Sequence, residues 1–139
     1  MDTETPAGLS SEERAFLDAP RFAVVATVGP DGAPYQAVVW YLVDGDTLVV
    51  NSADGRRWPA NLRRDSRVDV TIEDGYRYVQ LSGIVEIDDD QERAQADIAA
   101  MAYRYHADDP AAAEAVIDRF RRQHRVSFRL RPRAVRRDL

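Results

Sequence analysis

Three short turn signals decide what this chain can fold into. Gly29-Pro30-Asp31-Gly32, Asp44-Gly45 and Asp74-Gly75 each combine residues that favour a tight reversal. Asp-Gly is a strong two-residue hairpin signal. Around these turns lie runs rich in β-branched and aromatic residues, which suit strands. FAVVATV (22–28), PYQAVVWYLV (34–43) and TLVVNS (47–52) read as a three-stranded meander. In RVDVTIE (67–73), Val68, Val70 and Ile72 alternate with polar residues, the mark of a half-buried strand. YRYVQLSGIVEI (76–87) continues as a long strand, with Gly83 expected to bend it or to form a bulge. The last strand is RVSFRLRP (125–132), where Val126, Phe128 and Leu130 alternate with Arg125, Ser127, Arg129 and Arg131.

Helical signals fill the gaps. Ser10 and Glu13 form a capping box that opens a short helix ending before Pro20. A second short helix is expected near residues 58–65, with Pro59 in its first turn. Asp88, Asp89 and Asp90 suit the positive end of a helix whose Ile98, Met101, Ala102 and Tyr105 share a face. Another helix starts at Pro110, with Ala113, Val116, Ile117 and Phe120 in the same pattern. The fold class is therefore mainly β with α (α+β), with antiparallel pairing through hairpins. Six strands of this length close into a small barrel or stack as a sandwich, and hairpins alone do not separate the two.

A length of 139 residues suits a single domain, expected over 10–139 behind a flexible N-terminus at 1–9. The chain has no cysteine, which excludes disulfides and thiolate metal sites. His106 and His124 are not spaced as a metal pair, and both are expected to cap or to be solvated. No metal site is predicted, and no catalytic residue is assigned. Every basic residue is arginine, so lysine Schiff-base chemistry is excluded. No apolar run approaches the roughly 20 residues of a membrane span. The acidic N-terminus lacks the apolar core of a secretion signal, so a cytoplasmic protein is expected. Residues 119–139 hold nine arginines against one aspartate. Those arginines alternate with core positions in an acidic protein of net charge −5, and no nucleic-acid motif accompanies them. Nucleic-acid binding is not expected.

The segment NSADGRRWPANLRRD (51–65) carries the most suggestive chemistry. Asn51 and Ser52 end a strand, and Gly55 permits close approach of the backbone. Arg56 and Arg57 offer planar donor forks suited to phosphate, and the next helix points free amides the same way. Trp58 would stack on a flat ring or wall a pocket, and Asn61 would fix the loop. The residues alone admit a second reading, with solvated arginines beside a core tryptophan. Tyr76, Tyr78, Gln80 and Ser82 share one strand face, which lines a pocket, meets a subunit or faces water.

Taken with ATVGPDGAPYQAVVWYLVDGDTLVVNS, YVQLSGIVEI and the closing RVSFRLRP, the segment GRRWPANLRRDSRV resembles the pyridoxamine-5′-phosphate oxidase-like split-barrel flavoproteins. The actinobacterial branch that uses 8-hydroxy-5-deazaflavin is the most similar. The resemblance spans about residues 10–137 and implies a homodimer of six-stranded antiparallel split β-barrels, FMN-binding-like, with flanking helices. It implies a cofactor in a groove at the dimer interface. The phosphate would sit on Asn51, Ser52, Arg56 and Arg57, and the ring system would run along Gln36, Ala37, Val38, Val39 and Trp40. Tyr78 and Gln80 would come from the partner chain. Many relatives carry a lysine where this chain has Trp58, which shifts the phosphate contact to Arg56 and Arg57. The implied activity is an oxidoreductase that uses the deazaflavin coenzyme F-420 to transfer hydride to a small unsaturated substrate. An FMN-dependent oxidoreductase of the pyridoxamine-phosphate oxidase type and a non-catalytic flavin or deazaflavin carrier are the alternatives. In each case the cofactor carries the hard chemistry, which agrees with the scarcity of acid–base side chains.

Overall fold

The computed structural model describes residues 8–139. Helix α1 (Ser11–Asp18) is followed by strands β1 (Ala23–Val28), β2 (Pro34–Val39), β3 (Leu42–Asp44) and β4 (Thr47–Ala53). Helix α2 (Arg57–Arg64) leads to β5 (Arg67–Asp74) and β6 (Arg77–Asp88). Helices α3 (Gln91–Tyr105) and α4 (Pro110–Phe120) precede β7 (Arg125–Leu130) and β8 (Ala134–Asp138). The expected capping box opens α1: Glu13 N–H donates to Ser10 Oγ and Ser10 N–H to Glu13 Oε1. Of the expected flexible N-terminus, residues 1–7 lie outside the described residues. Leu9 is already buried, and its N–H donates to Asp46.

All strand pairs are antiparallel, in the order β2-β1-β5-β6-β7-β4-β3, with β8 added alongside β6. The two ends of that path, β2 and β3, are halves of one run, PYQAVVWYLV. The sheet therefore curls back on itself, and the chain between Val39 and Leu42 joins its two edges. This corrects the expected meander. Among the described residues, β2 pairs only with β1, and β3 pairs only with β4. The physical cause is a pinned kink at Tyr41. Its ring is fully buried, and its hydroxyl reaches the Leu17 and Ala19 carbonyls. Arg104 donates to the Tyr41 carbonyl and Tyr105 Oη accepts from its N–H.

The expected six strands become eight for two reasons. One run divides at the kink, and β8 was not foreseen because its AVRRD sequence is charged and largely exposed. Gly83 lies where β6 passes from β8 to β7 as a neighbour. A Cβ there would stand 2.9 Å from Leu130 Cδ1, so the glycine serves close approach. Of the three aspartates, Asp88 ends β6 and Asp90 is the cap of α3, accepting from Arg93 N–H.

The main core lies inside the curled sheet, where Val25, Val50, Val70, Leu81 and Phe128 meet Leu17 of α1 and Leu62 of α2. β4 is buried on both faces. Val49 points outward and packs on Ile98 and Met101 of α3. Helix α4 packs on α3 through Ala102, Ala113 and Ile117. This outer layer covers the face of β7 that carries Arg125, Ser127 and Arg129.

Candidate functional site

A groove of about 590 Å³ opens where the β2–β3 kink, the end of β4, the start of α2 and the start of β7 converge. Its two ends differ in chemistry. One is cationic, formed by Arg56, Arg57 and Arg125, and the other is aromatic, formed by Phe22 and Trp40; Phe120 lies between them, under Arg125 and at right angles to Trp40. Among the described residues, no carboxylate lines the groove.

Local sequence explains the cationic end. The chain leaves β4 through Asp54 and Gly55, and Gly55 adopts φ +96°, a conformation side chains disfavour. This turn places Arg56 at the N-cap of α2 and Arg57 at its first position. Pro59 has no N–H, and the Ala60 N–H already bonds to Arg56 O, so the free amides of the first turn are those of Arg57 and Trp58. Arg57 lies over the Tyr35 ring at 5.0 Å. Among the described residues, neither the Arg56 nor the Arg57 side chain makes a hydrogen bond or an ion pair. Both forks are available to an anion.

Sequence reasoning missed five of the groove-lining residues, Phe22, Tyr35, Ile98, Phe120 and Arg125, and of these Arg125 carries the chemistry. It pairs with Ala53 across the sheet, so it enters the groove beside the 51–57 loop. The side chain is 4 % exposed, and its partners are neutral. Nε–H donates to Asn51 Oδ1 at 3.0 Å, Nη1 donates to Gln123 Oε1 at 2.6 Å, and the plane lies on Phe120 at 4.5 Å. Burial, with a smaller contribution from the Arg56 charge, pulls its pKa down to about 10. It remains a cation at neutral pH, with no carboxylate among the described residues bonded to it. The only available signal was its register opposite the phosphate-like loop.

The expected site residues divide as follows. Ala37, Val38, Val39, Trp40, Asn51, Ser52, Arg56, Arg57 and Trp58 all line the groove. Asn51, however, spends its amide inward. Nδ2 donates to Ala94 O and Ser127 Oγ, and Oδ1 accepts from Arg125. Ser52 is buried, and its hydroxyl donates to the Ala53 carbonyl. Trp58 is 5 % exposed and packs on Phe128 with centroids 5.5 Å apart, so it closes the core and walls the groove at once.

Gln36 and Asn61 lie outside the groove lining. Gln36 is exposed on β2, on the face it shares with Val38. Asn61 is buried under the β1–β2 hairpin, where it donates to Thr27 Oγ1 and accepts from Arg64. It fixes the loop and does not face the groove. Tyr78 and Gln80 lie on β6 beside β8, away from their own chain's groove, with Gln80 bonded to Thr71 and Arg136.

At the aromatic end Trp40 stacks on Tyr105, and Phe22 and Phe120 pack around them. His106 caps α3 and presents its edge to Trp40. Elsewhere Asp54, Asp89 and His124 gather within 4.8 Å, all exposed. Arg63 bonds to both carboxylates and so takes the place a cation would need.

Unpaired guanidinium groups at one end and flat rings at the other suit a ligand with a phosphate and a planar ring system. No helix among the described residues is long and apolar enough to cross a membrane. No curated protein sequence matches the chain. Among solved structures, it is similar to a conserved hypothetical protein from Mycobacterium tuberculosis, with 27% identity, TM-score 0.78 and coverage of 99% of this chain and 89% of that one. It is also similar to an F-420 reductase, with 26% identity, TM-score 0.72 and coverage of 92% and 98%. A haem storage protein from Vibrio cholerae shares the fold at 20% identity and TM-score 0.71, over 94% and 95% of the two chains. The family model described as pyridoxamine 5′-phosphate oxidase matches residues 9–137, and the chain belongs to that family.

Proposed function

We propose that the protein is an oxidoreductase that binds the deazaflavin coenzyme F-420 in this groove and reduces a small unsaturated substrate. The observation that carries the reading is the bipolar groove, with Arg56, Arg57 and Arg125 at one end, unopposed by any carboxylate among the described residues, and Trp40 at the other. The 26% identity to an F-420 reductase over most of both chains supports the choice of cofactor.

When bound, the cofactor supplies a hydride from its ring carbon 5, so the chain need not supply a strong acid or base. The residues bind and orient. Arg56 and Arg57 donate to the phosphate, and Arg125 adds a preorganised third fork. The main chain of Ala37–Trp40 and the wall of Trp58 border the ring. Val38 and Phe22, 69% and 59% exposed, are apolar residues on the groove lining. A second copy of the chain, contributing Tyr78 and Gln80, would cover the ring in a cytoplasmic homodimer and exclude water.

FMN is the second reading, favoured by the family whose model matches. The same three arginines fit its single phosphate. Titrating the purified protein with each cofactor and following fluorescence separates the two. Sedimentation tests the dimer: a stable monomer that still binds cofactor would contradict the shared groove.

A further inference from the structure

Arg125 is a buried cation whose hydrogen-bond partners are all neutral, an arrangement that is costly unless something offsets it. Hydrogen bonds lead away from it in a single direction. Arg125 Nε–H donates to Asn51 Oδ1 at 3.0 Å. Asn51 Nδ2–H donates to Ser127 Oγ at 2.9 Å, and Ser127 Oγ–H donates to Asp97 Oδ2 at 2.7 Å. Each member donates toward the carboxylate, so the dipoles align and polarise one another.

The Asn51 amide cannot be reversed. Its Oδ1 faces the guanidinium N–H, and its Nδ2 faces the Ala94 carbonyl. A flipped amide would oppose donor to donor and acceptor to acceptor. Asn51 and Ser127 are buried, at 6% and 0% exposure, and Asp97 lies at the outer end on α3. Arg129 holds Asp97 from the other side at 2.8 Å and also reaches Asp88. At the inner end, Nε and Nη1 of Arg125 are occupied, while Nη2 has no partner among the described residues. Among the described residues no fully buried side-chain nitrogen lacks a partner, so Nη2 keeps some exposure, and Arg125 lines the groove.

We propose that Asp97 is a positioning residue for the groove's anion end. It holds Arg125 through Ser127 and Asn51, so that the Nη2 edge is fixed toward a bound phosphate. The relay rests on the reading of the groove as an anion site. Asp97 never touches the ligand. It orients the buried guanidinium through two neutral side chains, and no carboxylate among the described residues competes at the guanidinium face.

The test combines a spectroscopic readout without ligand and a binding cycle with FMN and inorganic phosphate as probes. The Arg125 Nε–H resonance is followed by NMR in the wild type, Asp97→Asn and Ser127→Ala, with Asp118→Asn on exposed α4 as the control. The expected result is a shifted, faster-exchanging Arg125 signal in both relay variants and an unchanged one in the control. Asp97→Asn should weaken probe binding by about tenfold in the wild-type background and by nothing further in Arg125→Ala. An Arg125 signal unmoved in both folded relay variants overturns the relay. Equal weakening by Asp97→Asn with and without Arg125 overturns it as well. A wild type that binds neither probe overturns the anion reading of the groove, and the resonance then still decides whether Asp97 holds Arg125.

Discussion

The Trp40 indole lies flat against the Tyr105 ring, with centroids 5.0 Å apart and planes 10° from parallel. This contact joins the β2–β3 kink to the end of α3. It sets the aromatic end of the groove, because Trp40 also lines it. The Tyr105 hydroxyl adds a polar anchor, accepting from Tyr41 N–H and donating to the Arg21 carbonyl.

Tyr105→Phe keeps the stack and deletes the anchor. Two backbone groups then lose their partner, at a cost of about 1–3 kcal/mol. Urea unfolding measures the loss. The same variant changes the alkaline limb. Burial, opposed by smaller contributions from the Tyr41 N–H and Arg104, raises the Tyr105 pKa from 10.0 to about 12. The folded state therefore holds its proton more tightly than the unfolded one, and stability falls as pH rises from 10 toward 12. Tyr41, also raised chiefly by burial, acts in the same direction. Tyr105→Phe should flatten that decline without abolishing it.

Arg104 binds four carbonyls. Nη1 donates to Tyr41 O, and Nη2 reaches Leu17, Asp18 and Ala19 at the end of α1. Arg104→Ala should destabilise by about 2–4 kcal/mol, read by thermal or urea unfolding. Arg104→Lys should restore little, because an ammonium cannot span the same fork.

Gly83→Ala tests the close approach of β6 to β7. The new Cβ would press on Leu130 Cδ1 at 2.9 Å, and Leu130 is 2% exposed, with little room to turn. A loss of about 1–3 kcal/mol is expected in equilibrium unfolding, as for overpacking elsewhere.

These sites mark how much the sequence disclosed. The hairpins were legible because glycines at positive φ occupy their turns, at Gly32, Gly45 and Gly75. The phosphate-like loop was legible because Gly55, Arg56 and Arg57 are local signals. The split of PYQAVVWYLV was not, because that run holds no internal glycine or proline. Its kink comes from Leu17, Arg104 and Tyr105, all distant in sequence. Arg125 was hidden for a related reason. Alternation with Val126 assigns it to the outer face, and only the docking of α3 and α4 shows that this face is covered. The loop-fixing role of Asn61 was legible from its place one turn into α2, but the Thr27 hydroxyl it meets was not.

Arg56→Ala and Arg57→Ala should each weaken cofactor binding by about 1.5–3 kcal/mol, the range for hydrogen bonds to charged groups. Neither side chain has a hydrogen-bonding partner among the described residues, so the folded protein should keep its stability within about 0.5 kcal/mol. Binding isotherms beside melting curves separate the two effects. The weakening should shrink as salt rises, because these charges are reached by solvent.

The most direct measurement of the central claim is a fluorescence titration of the wild type and the Arg56→Ala/Arg57→Ala double variant with coenzyme F-420 and with FMN. The account predicts saturable binding of coenzyme F-420 by the wild type, weaker binding of FMN, and a large loss of both in the double variant. Tight FMN binding with no F-420 binding, or unchanged affinity in the double variant, would contradict it.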